Sequence, residues 1–304
     1  NIVKVAIASS SLLAIPTLNA LRRESDLVAA ITMPDAHKGR GQKLTPNPFA
    51  AKMGEFDLPL YKPVNQKELS ELLITEKIDL VVTIAYGRLI KSTALNIPKY
   101  GWLNLHFSLL PKFRGAAPVQ HAILSGETRT GLSVFALDEG MDTGTIFEQE
   151  VITLTGQENS GEVLEKLSIL GADNVLNAIK KLKSGIAPKT QEVDGVSLAP
   201  KITKEMAMIN WISGVTQIDR TIRAMTPEPG AWTTFRGERF LISRAEKSDL
   251  NAGVPGEIFI DKEILVNSVD GSISLIEVTP AGKRTMSAAD WARGARIEAG
   301  EKFC

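Results

Sequence analysis

The chain has 304 residues, and its 35 basic and 35 acidic side chains cancel to a formal net charge of zero, without the basic excess of a typical nucleic-acid binder. Hydrophobic residues at 43% against 23% charged fit a globular protein in water, and no apolar run approaches the roughly 18 residues of a membrane span. One cysteine (Cys304) and three histidines (His37, His106, His121), none in helical i, i+4 spacing with an acid, argue against disulfides and against a metal site.

The first half alternates strand and helix patterns. VKVAIAS (residues 3–9) reads as a buried strand, SLLAIPTLNALRRES (11–25) as a helix and DLVAAITMP (26–34) as a second strand. A basic loop follows, then a helix in NQKELSELLITEKI (65–78) and a strand in DLVVTIAYG (79–87). KYGWLNLHF (99–107) predicts another strand, AAPVQHAILSGE (116–127) a helix from near Pro118, TGLSVFALD (130–138) a strand and residues 159–185 a long amphipathic helix. Strands separated by helices imply a Rossmann-like, open, mostly parallel sheet with helices on both faces, whose ligands lie outside the carboxyl ends of the strands. The N-terminus reads as this first strand rather than as a signal peptide, which predicts a cytoplasmic protein, an organellar form with its presequence removed staying open.

Residues 189–206 are polar, lack periodicity and carry Pro200, the features of a linker after a domain at 1–188. From 207 to 304 come short strands at 230–247, 256–269 and 272–280 with Asp270-Gly271 as a hairpin turn, which predicts a small C-terminal β-barrel of OB-like type.

Chemistry concentrates between 104 and 144. Asn104 and His106 are two apart on a strand, so both side chains face one way at its end. An imidazole there can exchange a proton near neutral pH, and a carboxamide can donate to an oxyanion. LDEGMDTGTIF (137–147) follows the next strand, and its glycines permit a tight loop that turns Asp142 back across the sheet edge. Asp142 can orient His106, accept a proton or bind backbone amides, and an ordinary acidic turn accounts for the same residues. No nucleophilic Ser or Cys with a partner histidine and no glycine-rich phosphate loop stands out, so the site suits a substrate that brings its own nucleophile.

The combined spacing of Asn104-x-His106-x-Ser108-Leu109-Leu110-Pro111, Arg114-Gly115-Ala116-Ala117-Pro118 and Asp138-x-Gly140-x-Asp142-x-Gly144 resembles that of the folate-dependent formyltransferases. The resemblance implies a catalytic trio of Asn104, His106 and Asp142. It implies a folate site at Ser108, Leu109, Leu110 and Pro111, with Tyr86 and Gly87 along the pteridine pocket. It also implies 10-formyltetrahydrofolate as formyl donor and no metal. One turn departs from the family, carrying Ser9-Ser10-Ser11 where a Gly-Thr-Pro-like sequence is usual.

Four further segments resemble the members of the family that act on methionyl-tRNA. The loop TMPDAHKGRGQKLTPNPFAAK (32–52) carries Lys38, Arg40, Lys43 and Lys52 with no acid between Asp35 and Glu55. It is similar to the loop that grips the tRNA acceptor stem, with Arg40 at its key arginine. APKITKEMAMINW (199–211) is similar to the interdomain signature, and 222–233 and 279–294 to the C-terminal barrel. The implied reaction formylates the α-amine of methionyl-initiator tRNA in translation initiation, in a monomer with no membrane partner. An amino-sugar formyltransferase with the same trio and a non-catalytic RNA- or folate-binding protein are the alternatives.

Overall fold

The run Lys4–Ser9 (β1) is apolar on both sides because it lies inside a sheet covered on both faces. The computed structural model describes all residues except Asn1 and Arg40. Ser11 caps a short 3-10 turn that leads into α1 (Ile15–Glu24), whose proline sits in the first turn, where no amide proton is needed. There follow β2 (Asp26–Ile31), a hairpin of β3 (Ala36–Lys38) and β4 (Lys43–Thr45), α2 (Pro48–Met53), β5 (Leu60–Tyr61) and α3 (Gln66–Thr75). The chain continues through β6 (Leu80–Ile84), α4 (Ser92–Leu95), β7 (Trp102–His106), α5 (Pro118–Leu124), β8 (Arg129–Ala136), β9 (Ile146–Thr153) and α6 (Ser160–Lys183).

The large sheet has the order β5-β2-β1-β6-β7-β8-β9. Strands β5, β2, β1, β6 and β7 run parallel, and β8 turns antiparallel to β7, so the sheet is mixed and mostly parallel. The chain moves outward from β1 to β2 and then crosses back to β6, so the strand order reverses between β1 and β6. That reversal leaves a crevice at their carboxyl ends. Strand β6 brings Thr83 beside Asn104 of β7, and β7 brings His106 beside Ser133 of β8. Gly171 of α6 keeps that strand close: a Cβ there would stand 2.4 Å from Leu105 of β7.

The chain divides into two compact units. The first comprises 1–118, 129–152 and 164–199, and the second 119–128, 153–163 and 200–304. The stretch 189–199, polar by sequence, is hydrogen-bonded into the first unit: Lys189 bridges Ile146, and Leu198 bridges Arg114. The second unit contains α7 (Val215–Met225) and an antiparallel sheet of β10 (Ala231–Phe235), β11 (Glu238–Ser248), β14 (Ser272–Thr279), β13 (Ile264–Asn267) and β12 (Ile258–Ile260), with β15 (Met286–Ser287) on β14. It ends with α8 (Ala288–Ala295). Asp270-Gly271 lies at the turn joining β13 to β14, as the hairpin signal predicts. Its core stacks Phe235, Phe240, Trp291 and Phe303 with ring centroids 4.7–5.8 Å apart for all but the Phe235–Phe240 pair at 6.2 Å. Among the described residues no helix is long and apolar enough to cross a membrane.

Candidate active site

A cavity of about 610 Å³ opens at the carboxyl ends of β6 and β7, and Asn104, His106 and Asp142 all line it, together with Thr83, Tyr86 and Gly87. Strand alternation explains the first pair: Asn104 and His106 face the crevice while Leu105 between them packs inward.

His106 is 7% exposed, and its Nε2 lies 2.9 Å from the Phe113 carbonyl. A carbonyl only accepts, so Nε2 carries the proton and the neutral ring presents the Nδ1 lone pair. Nδ1 stands 3.7 Å from Asp142 Oδ2, beyond direct hydrogen-bond length. Burial, the largest influence, holds the imidazole below its ordinary 6.5, against the opposing pull of the Asp142 carboxylate and the Phe113 carbonyl. The ring also meets Phe135 edge-on at 6.3 Å.

The Ser108–Pro111 turn does not line this cavity. Ser108 Oγ donates to Lys112 O at 2.6 Å, and Ser133 Oγ donates to Ser108 O at 2.7 Å and accepts from Leu110 N at 3.1 Å. The turn therefore folds the chain back so that Phe113 O reaches His106. Tyr86 and Gly87 do line the cavity, and the buried Tyr86 hydroxyl has no hydrogen-bond partner among the described residues. Burial pushes that phenol up, with Arg88 pulling weakly the other way.

The Asp142 loop is built for one conformation. Asp142 adopts φ +55°, and its Oδ2 accepts from Gly115 N at 2.7 Å. Asp138 Oδ1 tightens the same loop by accepting from Gly140 N at 3.0 Å and Thr143 Oγ1 at 2.6 Å. Gly144 permits its return to β8, since a Cβ there would lie 1.6 Å from Ala136 O, which is backbone and cannot move aside. Gly144→Ala should therefore destabilise the protein by about 3 kcal/mol or more, read as a lowered denaturant midpoint. A midpoint equal to the parent's would contradict this account of the loop.

Asn104 Nδ2 donates one proton to Thr83 Oγ1 at 2.7 Å, which leaves its second N–H for the cavity. Thr83, the Phe113 carbonyl, the Gly115 amide and Gln191 all hold the trio, and of these only Gly115 falls within a motif. Thr83 reads only as a polar residue in an apolar strand, and Gln191 lies in the segment without periodicity. Gln191 donates to Asp142 O at 2.7 Å and Gly144 O at 2.8 Å. Among the described residues, no group of three or more His, Cys, Asp or Glu side chains converges to hold a metal.

Of the residues expected to meet tRNA, Lys38 and Lys43 are exposed and face each other across the β3–β4 hairpin, while Arg40 lies outside the described residues. Two like charges in one cross-strand pair repel. Neither has an acidic partner among the described residues: Asp35 at the hairpin's base pairs with Lys62 at 2.6 Å, and Glu55 with Lys52 at 2.6 Å.

The family model described as formyl transferase matches residues 2–179, and the formyl transferase C-terminal domain matches residues 201–296. The methionyl-tRNA formyltransferase of Thermobifida fusca is 40% identical, with 99% of each chain covered. Among solved structures, a variant of HypX from Aquifex aeolicus aligns with a TM-score of 0.71 at 17% identity over 99% of this chain. This chain spans about half of HypX, 49%. An N-formyltransferase from Helicobacter canadensis, in complex with folinic acid and dTDP-3-aminofucose, aligns at 0.67 with 19% identity, covering 90% of this chain and 99% of that one. At such identities the structural likeness speaks for the fold alone.

Proposed function

We infer the reaction from one premise: this chain belongs to the formyl transferase family. It is an enzyme that transfers the formyl group of 10-formyltetrahydrofolate to the α-amine of methionyl-initiator tRNA, giving N-formylmethionyl-tRNA and tetrahydrofolate. The observation that carries this reading is its end-to-end likeness to a methionyl-tRNA formyltransferase, in a chain whose cavity gathers Asn104, His106 and Asp142.

The residues fit the reaction. The folate supplies the formyl carbon when bound, and the apolar side of the cavity at Tyr86, Leu89, Ile90 and Leu137 suits a flat heterocycle. As the amine adds, the formyl oxygen gains charge, and the free N–H of Asn104 stabilises it. His106 Nδ1 takes the proton that the amine must lose, and the resulting imidazolium faces both the oxyanion and the Asp142 carboxylate. One C–N bond forms and one breaks, and the departing folate nitrogen regains the proton, so His106 ends neutral. Ser108 to Pro111 support this chemistry by fixing the Phe113 carbonyl on the ring.

The hairpin supplies the acceptor's grip. Lys38 and Lys43 repel one another unless an anion lies between or above them, and the phosphates of an acceptor stem meet that need. Arg40 falls between them in the sequence and adds a third cation to the same segment. Replacing both lysines by alanine should lower kcat/KM for methionyl-tRNA by about tenfold or more and reduce the salt dependence of log KM by about two units of slope. The KM for the folate should stay unchanged, and an equal rise in both KM values would refute the assignment.

The function is tested by supplying 10-formyltetrahydrofolate with methionyl-initiator tRNA, or with a nucleotide-linked amino sugar, and following tetrahydrofolate release. Formylated methionine on the tRNA is the expected product. Transfer to the amino sugar but not to charged tRNA overturns the reading.

A further inference from the structure

Gln191 is buried, and every hydrogen-bonding position of its carboxamide is filled. Its two N–H donors reach the carbonyls of Asp142 at 2.7 Å and Gly144 at 2.8 Å. Its Oε1 accepts from Arg114 Nη2 at 2.7 Å and Nε at 3.2 Å. This pattern admits only one orientation, because the carbonyls need donors and the guanidinium needs an acceptor. The next residue after Arg114 closes a circuit: Gly115 N donates to Asp142 Oδ2 at 2.7 Å. Asp142 is thus held at its carbonyl and at its carboxylate by one Arg114–Gly115–Gln191 assembly. Its left-handed backbone, at φ +55°, needs such restraint. Neither Gln191 nor Arg114 lines the cavity.

We propose that Gln191, seated on Arg114, is a positioning residue for formyl transfer: it pins the backbone from Asp142 to Gly144 and so sets where the Asp142 carboxylate stands against His106. The proposal rests on the formyl-transfer reading for its kinetic consequences, but the geometry it describes does not depend on which amine is formylated. Glutamate fills the same volume yet has no N–H for the two carbonyls. Asparagine is one methylene too short to span from Arg114 to the loop. A displacement of about 1 Å in a reacting group lowers rate on the order of 100-fold, so the effect should appear in kcat.

Three readings test this. First, Gln191→Ala and Gln191→Glu should each lower kcat by roughly 10- to 100-fold while the KM for the formyl donor stays within about threefold. Second, in an Asp142→Asn background the Gln191→Ala change should alter kcat by less than about twofold, because it acts through Asp142. Third, the His106 imidazole, titrated by NMR in the protein alone, should shift to lower pH in Gln191→Ala as the carboxylate moves away. The titratable groups lining the cavity with it are Asp142, Asp138, Tyr86 and Arg88, and only Asp142 is tied to Gln191. A residue that merely supports folding would leave this titration in place. Where Gln191→Ala fails to unfold cooperatively, Gln191→Glu, which keeps the partner of Arg114, carries the same three readings. Parental kcat in both variants, an equal loss on the Asp142→Asn background, or an unmoved His106 titration overturns the proposal. The NMR titration needs neither folate nor acceptor, so a failure of the tRNA reading shows in the parent's assay and leaves this result interpretable.

Discussion

His106→Ala should lower kcat by about 10³-fold, inside the 10²- to 10⁴-fold range of a positioned acid-base group, while the protein still folds. The substitution empties part of a cavity wall rather than a core and leaves the Phe113 carbonyl without its donor, a loss of about 1 kcal/mol. Burial as the leading influence holds the imidazole below 6.5, so the ring stays neutral, with Nδ1 free, at pH values where an exposed histidine is already charged. The acidic limb of kcat/KM in the parent should therefore lie below 6.5 and vanish with the side chain. A limb above 6.5 would contradict the burial account, and near-parental turnover in the variant would refute the role.

The same shift enters stability with a definite sign. Between the folded value and 6.5 the unfolded chain binds more protons at this residue than the folded one. Its contribution is complete above 6.5 and is lost as pH falls towards the folded value. Denaturant unfolding of the parent and of His106→Gln, at about pH 7.5 and about pH 5.5, should find the parent losing more on acidification. Equal losses would count against a neutral, buried His106.

The parallel part of the sheet was legible because Lys4–Ser9, Leu80–Ile84 and Trp102–His106 are short apolar runs between helical patterns, the signature of strands covered on both faces. Strand β9 was not, since its half-buried IFEQEVIT follows the acidic loop directly and carries no turn signal of its own. Helices α7 and α8 hid among the strand patterns of the second unit, where the aromatic cluster around Trp291 sets the packing and local periodicity covers only 11 and 8 residues. Tertiary contact decides such short elements, and a single sequence does not contain it.

At the site the division is similar. Asn104 and His106 could be paired from strand alternation, whereas Asp142, whose glycine-flanked loop also reads as an ordinary acidic turn, joined them only through the resemblance of the combined spacing to the formyltransferases. The groups that hold them are backbone atoms or distant side chains: the Phe113 carbonyl, the Gly115 amide, Thr83 and Gln191. A backbone carbonyl has no sequence signature, and Gln191 lies 49 residues beyond Asp142 in a stretch without periodicity. Its segment reads as a tether because polar, aperiodic composition is what a strap across a loop and a free linker have in common.

Asn104→Ala should lower kcat by about 10²- to 10³-fold, equivalent to roughly 3–4 kcal/mol, with the KM for the folate changed little. The Asn104 carboxamide carries two protons on Nδ2. One is taken by Thr83 Oγ1 at 2.7 Å, which fixes the amide plane, and the other is left for the cavity, where the proposed reaction would place the formyl oxygen. A donor that strengthens only as charge develops acts on the transition state rather than on binding. Thr83→Val tests the positioning half separately: it keeps the donor but frees the amide to rotate, so its loss should be smaller than that of Asn104→Ala. Asn104→Asp goes further than alanine, since a carboxylate beside the nascent oxyanion replaces attraction with repulsion. The expected order of kcat is therefore parent, Thr83→Val, Asn104→Ala and Asn104→Asp. If Asn104→Asp retained more activity than Asn104→Ala, the residue would be serving as a proton acceptor, and the assignment of the oxyanion donor would have to move to His106.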